Sequence, residues 1–421
     1  MAPRFRPAVA SQSFGRAPHH RIEHKLALCA EYGFEAVEIF YEDLELLAQD
    51  LRRTDASLTK ESSLLAAATR IADLCAQLDL FIICLQPFAN YEGLVDRKAH
   101  ASRIQELYFW IRLAQNLKTD LIQVPSSYLP AAECCSSRDL IIADLQELCD
   151  VGLSHTPPIR FAHEALCWAT HHSFWTDVWD LVLAVDRPNF GTCLDTFNLL
   201  GREYADPTAP SGKTPNAEEQ LTTTLHNLRT RLDPSKIFYI EAVDGERLDA
   251  PLVEGHPFHN ADQVPRMSWS RNARLFPFEE RGYLPVTEIL KAIEDVGYEG
   301  YVAFEFFSRT AHEQGEHVPI EHAQRAQKSW RKICEAMGWE YEERWATGWL
   351  PKSTSAIANE ERAAANSSKD CDITTQASAK PPSGTASPLL KTQGPRASTP
   401  TSRPESAHKQ SWTTPQVLQA H

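Results

Sequence analysis

Short apolar runs alternate with longer amphipathic segments through most of this chain. Apolar runs rich in β-branched and aromatic residues are typical of strands, whereas apolar residues that recur at helical spacing indicate helices. The predicted strands are Pro7–Ser11, Ala36–Phe40, Leu80–Leu85, Leu121–Val124, Ile159–His163, Phe190–Leu194, Ile237–Ile240 and Tyr301–Phe304. The predicted helices are Arg21–Tyr32, Glu61–Gln77, His100–Leu117, Arg138–Gly152, Phe174–Val185, Ala217–Leu232, Val286–Val296 and Ile320–Met337.

This regular alternation predicts an α/β protein with a parallel sheet. The strands are apolar almost throughout, as expected of strands that are covered on both faces. Eight strand–helix units predict a (β/α)8 TIM barrel. The alternative is a doubly wound open sheet, but such a sheet usually has a glycine-rich loop after its first strand, and the chain has no GxGxxG motif. The connection from Asp244 to Leu284 is long and rich in proline, and long connections are often functional.

The composition changes beyond the barrel pattern. Residues 349–421 are rich in Ser, Thr, Pro, Ala and Gln. Such a segment buries too little apolar surface to offset its chain entropy, so we expect a disordered low-complexity tail. The barrel is therefore predicted to occupy residues 1–348.

Charge and cysteine content narrow the class of protein. The formal net charge is -14, which disfavours binding to nucleic acid phosphates. None of the 10 cysteines forms a CxxC pair, and Cys84, Cys167 and Cys193 lie inside apolar runs. These features indicate reduced core cysteines and hence a cytoplasmic protein. We expect neither a signal peptide nor a membrane span, and the sequence leaves a homo-oligomer open.

Acidic residues directly follow the last four predicted strands: Glu164, Asp195, Glu241 and Glu305. Chemistry in a barrel takes place at this end of the strands. A single acid there is commonly a helix N-cap or an ion-pair partner, but four that converge must be neutralised. Raised pKa values are one solution. A divalent cation that prefers oxygen ligands (Mg²⁺, Mn²⁺ or Co²⁺) is the simpler one.

Several motifs follow one another along the chain in the order of a known family. They are Ser13–Arg16, Ala36–Asp43, Leu85–Phe88, His163–Leu166, Cys193–Asn198, Met267–Arg274 and Phe304–Phe307. Together they span the predicted barrel, and the chain resembles the xylose-isomerase-like sugar isomerases and epimerases, most closely the 3-dehydroshikimate dehydratases. The resemblance implies a metal-dependent hydro-lyase that converts 3-dehydroshikimate to protocatechuate in quinate and shikimate catabolism.

The resemblance also implies roles for the four acids. Glu164, Asp195 and Glu305 match the metal-ligand positions of the family. Glu241 stands at the third ligand position, where relatives more often carry Gln or His, so this chain has an additional negative charge there. Glu164 and Glu305 are further expected to take part in catalysis.

The catalytic base is the role that the resemblance leaves open. Many relatives carry a histidine at the position of Asn198, and an asparagine cannot accept a proton at neutral pH. His171 and His172, just beyond strand five, are the nearest candidates, and we predict His171 for this role. Glu241 and Glu38 are the alternatives.

A substrate that carries a carboxylate requires a cationic partner. Arginine binds carboxylates with two parallel hydrogen bonds, and Arg271 and Arg274 lie in the family motif of the long connection. We expect these two arginines to bind the substrate, and Arg16 also fits the family pattern. Gln86, at the end of strand three, is predicted to form a hydrogen bond with a substrate hydroxyl.

An isomerase on the same scaffold is the second hypothesis, either a hydroxypyruvate isomerase or a keto-sugar epimerase. Such enzymes use paired glutamates as acid and base, and Glu164 and Glu305 would serve either reaction. Arg271 and Arg274 discriminate between the hypotheses, because an anionic cyclic substrate requires them and a neutral sugar does not.

Overall fold

A closed barrel of eight parallel strands forms the centre of the protein in the computed structural model, which describes residues 4–341. The barrel strands are β1 (Phe5–Ala10), β2 (Ala36–Phe40), β3 (Phe81–Gln86), β4 (Leu121–Pro125), β5 (Arg160–Glu164), β6 (Phe190–Asp195), β7 (Ile237–Glu241) and β10 (Gly300–Phe304). Each strand lies beside its predecessor, and β10 closes the barrel against β1. The predicted (β/α)8 barrel is confirmed.

Helices follow the strands and cover the outside of the barrel. They are α1 (Ile22–Glu31), α2 (Tyr41–Thr54), α3 (Lys60–Gln77), α4 (Arg97–Asn116), α5 (Arg138–Leu153), α6 (Trp175–Val185), α7 (Thr196–Glu203), α8 (Ala217–Arg231), α9 (Pro265–Ala273), α10 (Val286–Asp295) and α11 (His317–Met337). Three short 3-10 turns lie at Ser11–Phe14, Pro234–Lys236 and Arg309–His312. Every predicted helix and strand occurs, with ends shifted by at most three residues.

Helices α2, α7 and α9 are absent from the prediction. Two of them begin without a loop: α2 follows β2 directly, and α7 follows β6 directly. The apolar run of the strand therefore merges with the first turn of the helix in the sequence. Helix α9 begins at Pro265, in a segment whose prolines suggested a loop. Proline is tolerated in the first turn of a helix, where its missing N–H has no partner to lose.

Two separate apolar layers stabilise the barrel. The larger layer fills the space between the strands and the surrounding helices. The smaller layer lies inside the barrel and consists mainly of small side chains: Ala8, Ala36, Ile83, Cys84, Leu121, Ala162, Cys193, Tyr239 and Ala303. Because successive side chains on a strand point to opposite faces, the members of this layer other than Ile83, which directly precedes Cys84, identify which positions of each strand face the interior.

The long connection between β7 and β10 is ordered and packs against the barrel. Its two short strands, β8 (Asp244–Gly245) and β9 (Arg274–Leu275), pair in antiparallel fashion. Trp269 on α9 is fully buried, and its indole N–H donates to the carbonyl oxygen of Glu246 at 3.0 Å. The predicted loop is therefore a packed subregion, which fixes the arginines that it carries.

The remaining expectations concern the cysteines, the membrane and the tail. The nine cysteines of the described part form no disulfide, and Cys84, Cys167 and Cys193 are buried, as predicted for reduced core residues. No helix within residues 4–341 is long and apolar enough to cross a membrane. The predicted tail at residues 349–421 lies outside the described residues.

Candidate metal centre

A layer of polar side chains closes the carboxyl end of the barrel interior. Each residue of this layer stands two positions beyond a member of the inner apolar layer and therefore faces the interior as well. Its members are Glu38, Gln86, Gln123, Glu164, Asp195, Glu241 and Glu305. All of them are at least nine-tenths buried. Seven of the eight strands thus present a carboxylate or an amide at the same level.

Four of these acids, Glu164, Asp195, Glu241 and Glu305, come together at one point. Each offers a carboxylate oxygen, and these oxygens all lie within 4.8 Å of one another. The strand register produces part of this proximity, since Asp195 lies opposite Glu241 in the pairing of β6 with β7. Oxygen ligands lie about 2.1 Å from Mg²⁺, so ligands on opposite sides of one ion are about 4.2 Å apart. The cluster therefore has dimensions that suit one small divalent cation.

Burial and mutual repulsion disfavour the ionised forms of these acids. Burial, followed by the charge of Glu305, raises the pKa of Glu164 and of Glu241 well above the ordinary range. Burial raises the pKa of Glu305 to about 7, although the guanidinium of Arg274 opposes the shift. Burial and the charge of Glu305 raise the pKa of Glu38 to about 8. The cluster must therefore hold either protons or a cation near neutral pH.

Arg274 is the cation that the protein itself supplies to the cluster. Its Nη1 donates to Asp195 Oδ2 at 2.8 Å and to Glu305 Oε2 at 2.9 Å. The guanidinium is fully buried and lies 4.6 Å from the ring centre of Phe197 and 5.4 Å from that of Phe307. The structure thus places this arginine among the acids, and its predicted contact with a substrate carboxylate stays a prediction.

Both oxygens of Asp195 accept hydrogen bonds, and Oδ2 is shared by Arg274 and Asn198. Its Oδ1 accepts the backbone N–H of Phe197 at 2.7 Å and so caps helix α7. Its Oδ2 accepts a hydrogen bond from the side-chain amide of Asn198 at 2.5 Å. The same amide nitrogen donates to Glu164 Oε1 at 2.8 Å. Asn198, which stands where a catalytic histidine was expected, therefore joins two acids of the cluster.

Glutamines donate to oxygens of Glu164, Glu305 and Glu38, and two of these glutamines are absent from the predicted site. Gln123 donates to Glu164 Oε2 at 2.8 Å, and Gln12 donates to Glu305 Oε1 at 3.5 Å. Gln86 donates to Glu38 Oε2 at 2.9 Å, so one of its amide hydrogens is already engaged. The interior position of Gln123 was detectable, because it follows the interior Leu121 by two residues on β4. Gln12 lies in a 3-10 turn and gave no such signal.

Two carboxylate oxygens in this region accept no hydrogen bond from the described residues. They are Oε2 of Glu241 and Oε1 of Glu38, and both are buried. A buried carboxylate oxygen without a donor costs free energy, so such an atom indicates a missing partner. Glu241 belongs to the cluster of four, and a cation or a proton there would supply that partner. The chemistry of this donor set, oxygen atoms alone, fits a hard divalent cation.

The predicted histidine base lies outside this cluster. His171 is in the connection between β5 and α6, where its Nε2 is 3.0 Å from the carbonyl oxygen of Cys134. That nitrogen carries the proton of this contact and is not available as a base. Burial lowers the pKa of the adjacent His172, whose charged neighbours are Asp177 and Arg138 and include none of the four acids. The role of His171 stays a prediction.

Two further arginines lie in segments that follow barrel strands: Arg16 comes after β1, and Arg271 lies on α9 in the connection after β7. Arg16 donates to Glu42 Oε2 through Nε at 2.9 Å and through Nη2 at 2.5 Å, and it lies 6.0 Å from the ring centre of Phe307. Burial lowers the pKa of Arg271, Tyr128 opposes this, and the charge of Arg16 adds to the lowering. The charge of Arg16 therefore acts on Arg271, while Arg16 itself is paired with Glu42.

Comparisons with known proteins identify the relatives of this chain. A family model described as xylose isomerase-like TIM barrel matches residues 26–334. The 3-dehydroshikimate dehydratase of Neurospora crassa is 47% identical over 334 residues, which cover 78% of this chain and 93% of that protein. The 3-dehydroshikimate dehydratase of Pseudomonas aeruginosa is 27% identical over 290 residues, which cover 68% of this chain but only 36% of that protein.

A solved structure shows the same fold at low sequence identity. The IolI protein with a bound zinc atom superposes with a TM-score of 0.56 at 16% identity, over 79% of this chain and 99% of that chain. The match of the family model and the 47% identity to the Neurospora protein carry the assignment. This chain belongs to the xylose isomerase-like TIM-barrel family, within the branch of the 3-dehydroshikimate dehydratases.

Proposed function

We propose that this protein catalyses the metal-dependent dehydration of 3-dehydroshikimate to protocatechuate in the catabolism of quinate and shikimate. The observation that carries the proposal is the cluster of four buried carboxylates at the end of the barrel where chemistry takes place. The 47% identity to a 3-dehydroshikimate dehydratase supports the choice of substrate. The reaction removes a proton beside the ketone, breaks the bond to a hydroxyl group, and releases that group as water.

The cluster would hold the cation through Glu164, Asp195, Glu241 and Glu305. Oxygen ligands without histidine or cysteine favour Mg²⁺ or Mn²⁺, with Co²⁺ as a third candidate. When bound, the cation supplies Lewis-acid stabilisation to negative charge that develops on a substrate oxygen. Arg274 would stay with Asp195 and Glu305, where its charge offsets part of the excess of acids.

Arg271 and Arg16 are proposed to bind the substrate carboxylate. The charge of Arg16 acts on Arg271, and the ring centre of Phe307 lies 6.0 Å from the guanidinium of Arg16 and 5.4 Å from that of Arg274. A carboxylate placed between two arginines removes their repulsion and gains charge-assisted hydrogen bonds. We also propose that the amide of Gln86, which donates one hydrogen bond to Glu38, is the partner of a substrate hydroxyl.

Glu241 is proposed as the group that accepts the proton from the carbon beside the ketone. Its Oε2 accepts no hydrogen bond from the described residues, whereas His171 already contacts the carbonyl oxygen of Cys134. Asn198 cannot serve, because an amide does not accept a proton at neutral pH. His171 is the alternative, and the cytoplasmic location and a homo-oligomer stay predictions.

Purified protein with Mg²⁺ or Mn²⁺ should convert 3-dehydroshikimate to protocatechuate, which ultraviolet absorbance detects. Glu305→Gln should lower kcat by about 10²-fold or more, because it removes one charge from the cluster. Glu299→Gln is the matched control, since Glu299 is exposed and pairs with Arg4. Circular dichroism checks that both variants fold. An inactive wild-type protein that is folded and metal-loaded would contradict the dehydratase function.

The choice of proton acceptor is tested by a pair of isosteric variants. Glu241→Gln keeps a neutral oxygen ligand but no base, so it should bind Mn²⁺ and lose about 10²- to 10⁴-fold in kcat. His171→Asn should keep kcat within a few-fold. Steady-state kinetics and Mn²⁺ titration of both variants give the result. A large loss of kcat in His171→Asn, with kcat nearly unchanged in Glu241→Gln, would assign the role of base to His171 instead of Glu241.

Arg271→Ala should raise KM for 3-dehydroshikimate by about 10- to 100-fold and leave the Mn²⁺ affinity unchanged. The physical reason is the loss of a charge-assisted hydrogen bond to the substrate carboxylate. Arg229→Ala is the control, because Arg229 pairs with Asp295 on the surface. An unchanged KM would remove Arg271 from the substrate site. Turnover of a neutral keto-sugar that is insensitive to this substitution would favour the isomerase hypothesis.

The pH dependence of stability should change when the metal is removed. The pKa of Glu305 is raised from 4.5 to about 7, so the folded protein binds a proton that the unfolded chain releases between these values. The stability of the metal-free protein should therefore fall as the pH rises through this window. Saturating Mn²⁺ should remove most of that fall, because the ion takes the place of the protons. Thermal unfolding from about pH 5 to pH 8, with and without Mn²⁺, measures the difference, and two parallel profiles would contradict it.

A further inference from the structure

Both polar atoms of the Asn198 side chain have hydrogen-bond partners. Its Oδ1 accepts the backbone N–H of Cys167 at 3.0 Å, and its Nδ2 donates to Glu164 Oε1 at 2.8 Å and to Asp195 Oδ2 at 2.5 Å. The backbone N–H can only donate, which fixes the orientation of the amide. Both of its N–H groups therefore point at the acids. Only 1% of Asn198 is exposed, so water does not substitute for these bonds.

Gln123 holds the other oxygen of Glu164. It lies on β4, the neighbour of β5, and its Nε2 donates to Glu164 Oε2 at 2.8 Å. Glu164 thus accepts one amide hydrogen bond at each oxygen. One donor lies on β4 and the other on α7, the helix that follows β6, so they belong to the segments on either side of β5. A carboxylate held at both oxygens cannot rotate about its terminal bond without breaking one of these contacts.

The neutral character of the two amides matters for the charge of the site. A carboxylate has about four lone-pair positions, so one hydrogen bond at each oxygen leaves others free for an ion. Arg274 already brings one positive charge to Asp195 and Glu305, and a further cationic side chain in place of either amide would weaken the attraction for a divalent cation. An amide orients the acid and leaves its charge intact.

We propose that Asn198 and Gln123 are positioning residues that set Glu164 and Asp195 in the geometry that a divalent cation requires. They act through the two acids and do not touch the cation or the substrate. The inference rests on the proposed metal site, but it concerns the binding of the ion and not the dehydration. Partners of metal ligands typically change metal affinity by about 10- to 100-fold when they are removed.

Asn198→Ala and Gln123→Ala test the proposal independently, so that it stays testable if one variant does not fold. Metal-free protein is titrated with Mn²⁺ and followed by electron paramagnetic resonance. Each substitution should weaken Mn²⁺ binding by about 10- to 100-fold. Asn189→Ala is the matched control: Asn189 is also a buried asparagine, but its amide donates to the carbonyl oxygens of Cys149 and Ile159. It should lower stability and leave the Mn²⁺ affinity unchanged.

The visible absorption of the Co²⁺-loaded protein is the readout that a purely structural role would not change. Released acids should alter the coordination of Co²⁺ and hence its spectrum in the two variants but not in Asn189→Ala. Wild-type Mn²⁺ affinity and a wild-type Co²⁺ spectrum in Asn198→Ala or Gln123→Ala would overturn the proposal for that residue. A wild-type protein that binds no Mn²⁺ would overturn it together with the metal site. A protein that binds Mn²⁺ tightly but does not dehydrate 3-dehydroshikimate would overturn only the proposed reaction.

Discussion

The burial of four carboxylates beside one arginine, at the end of a closed barrel, is the constraint on which the rest of the structure depends. Ionised acids in such an environment are costly, and Arg274 offsets only part of their charge. The remaining charge must be met by protons or by a divalent cation. A barrel of small interior side chains tolerates this arrangement because its apolar stabilisation comes mainly from the outer layer between strands and helices.

The same constraint explains how the long connection is joined to the barrel. Arg274 belongs to the short strand β9 of that connection, and its ion pairs with Asp195 and Glu305 reach into the barrel interior. Arg271 lies on the preceding helix α9. Arg271 is proposed to bind the substrate carboxylate and lies three residues before Arg274. The ion pairs of Arg274 with the acid cluster therefore help to fix its position. The connection between β7 and β10 therefore links Arg271, the residue proposed to bind substrate, to the acid cluster through Arg274.

The barrel and its four acids were predictable, because both follow from local patterns. Apolar runs locate the strands, and an acid at the end of such a run, as at Glu164, is unusual enough to be noticed. The amide partners were not predicted, although Gln123 could have been found from the two-residue alternation on β4. Asn198 lies one turn into a helix that begins at the strand end, and only the three-dimensional fold shows which acids it joins. His171 lies near β5 in the sequence, but the structure turns its Nε2 towards the carbonyl of Cys134.

Diffraction from crystals of the Mn²⁺-loaded protein, at a wavelength where manganese scatters anomalously, tests the central claim most directly. The account predicts one anomalous peak among Glu164, Asp195, Glu241 and Glu305, with carboxylate oxygens at roughly 2.0–2.3 Å from it. It also predicts that Asn198 keeps its contacts with Glu164 and Asp195. Saturating Mn²⁺ without a peak at this position, and with the four acids held by protons alone, would contradict it.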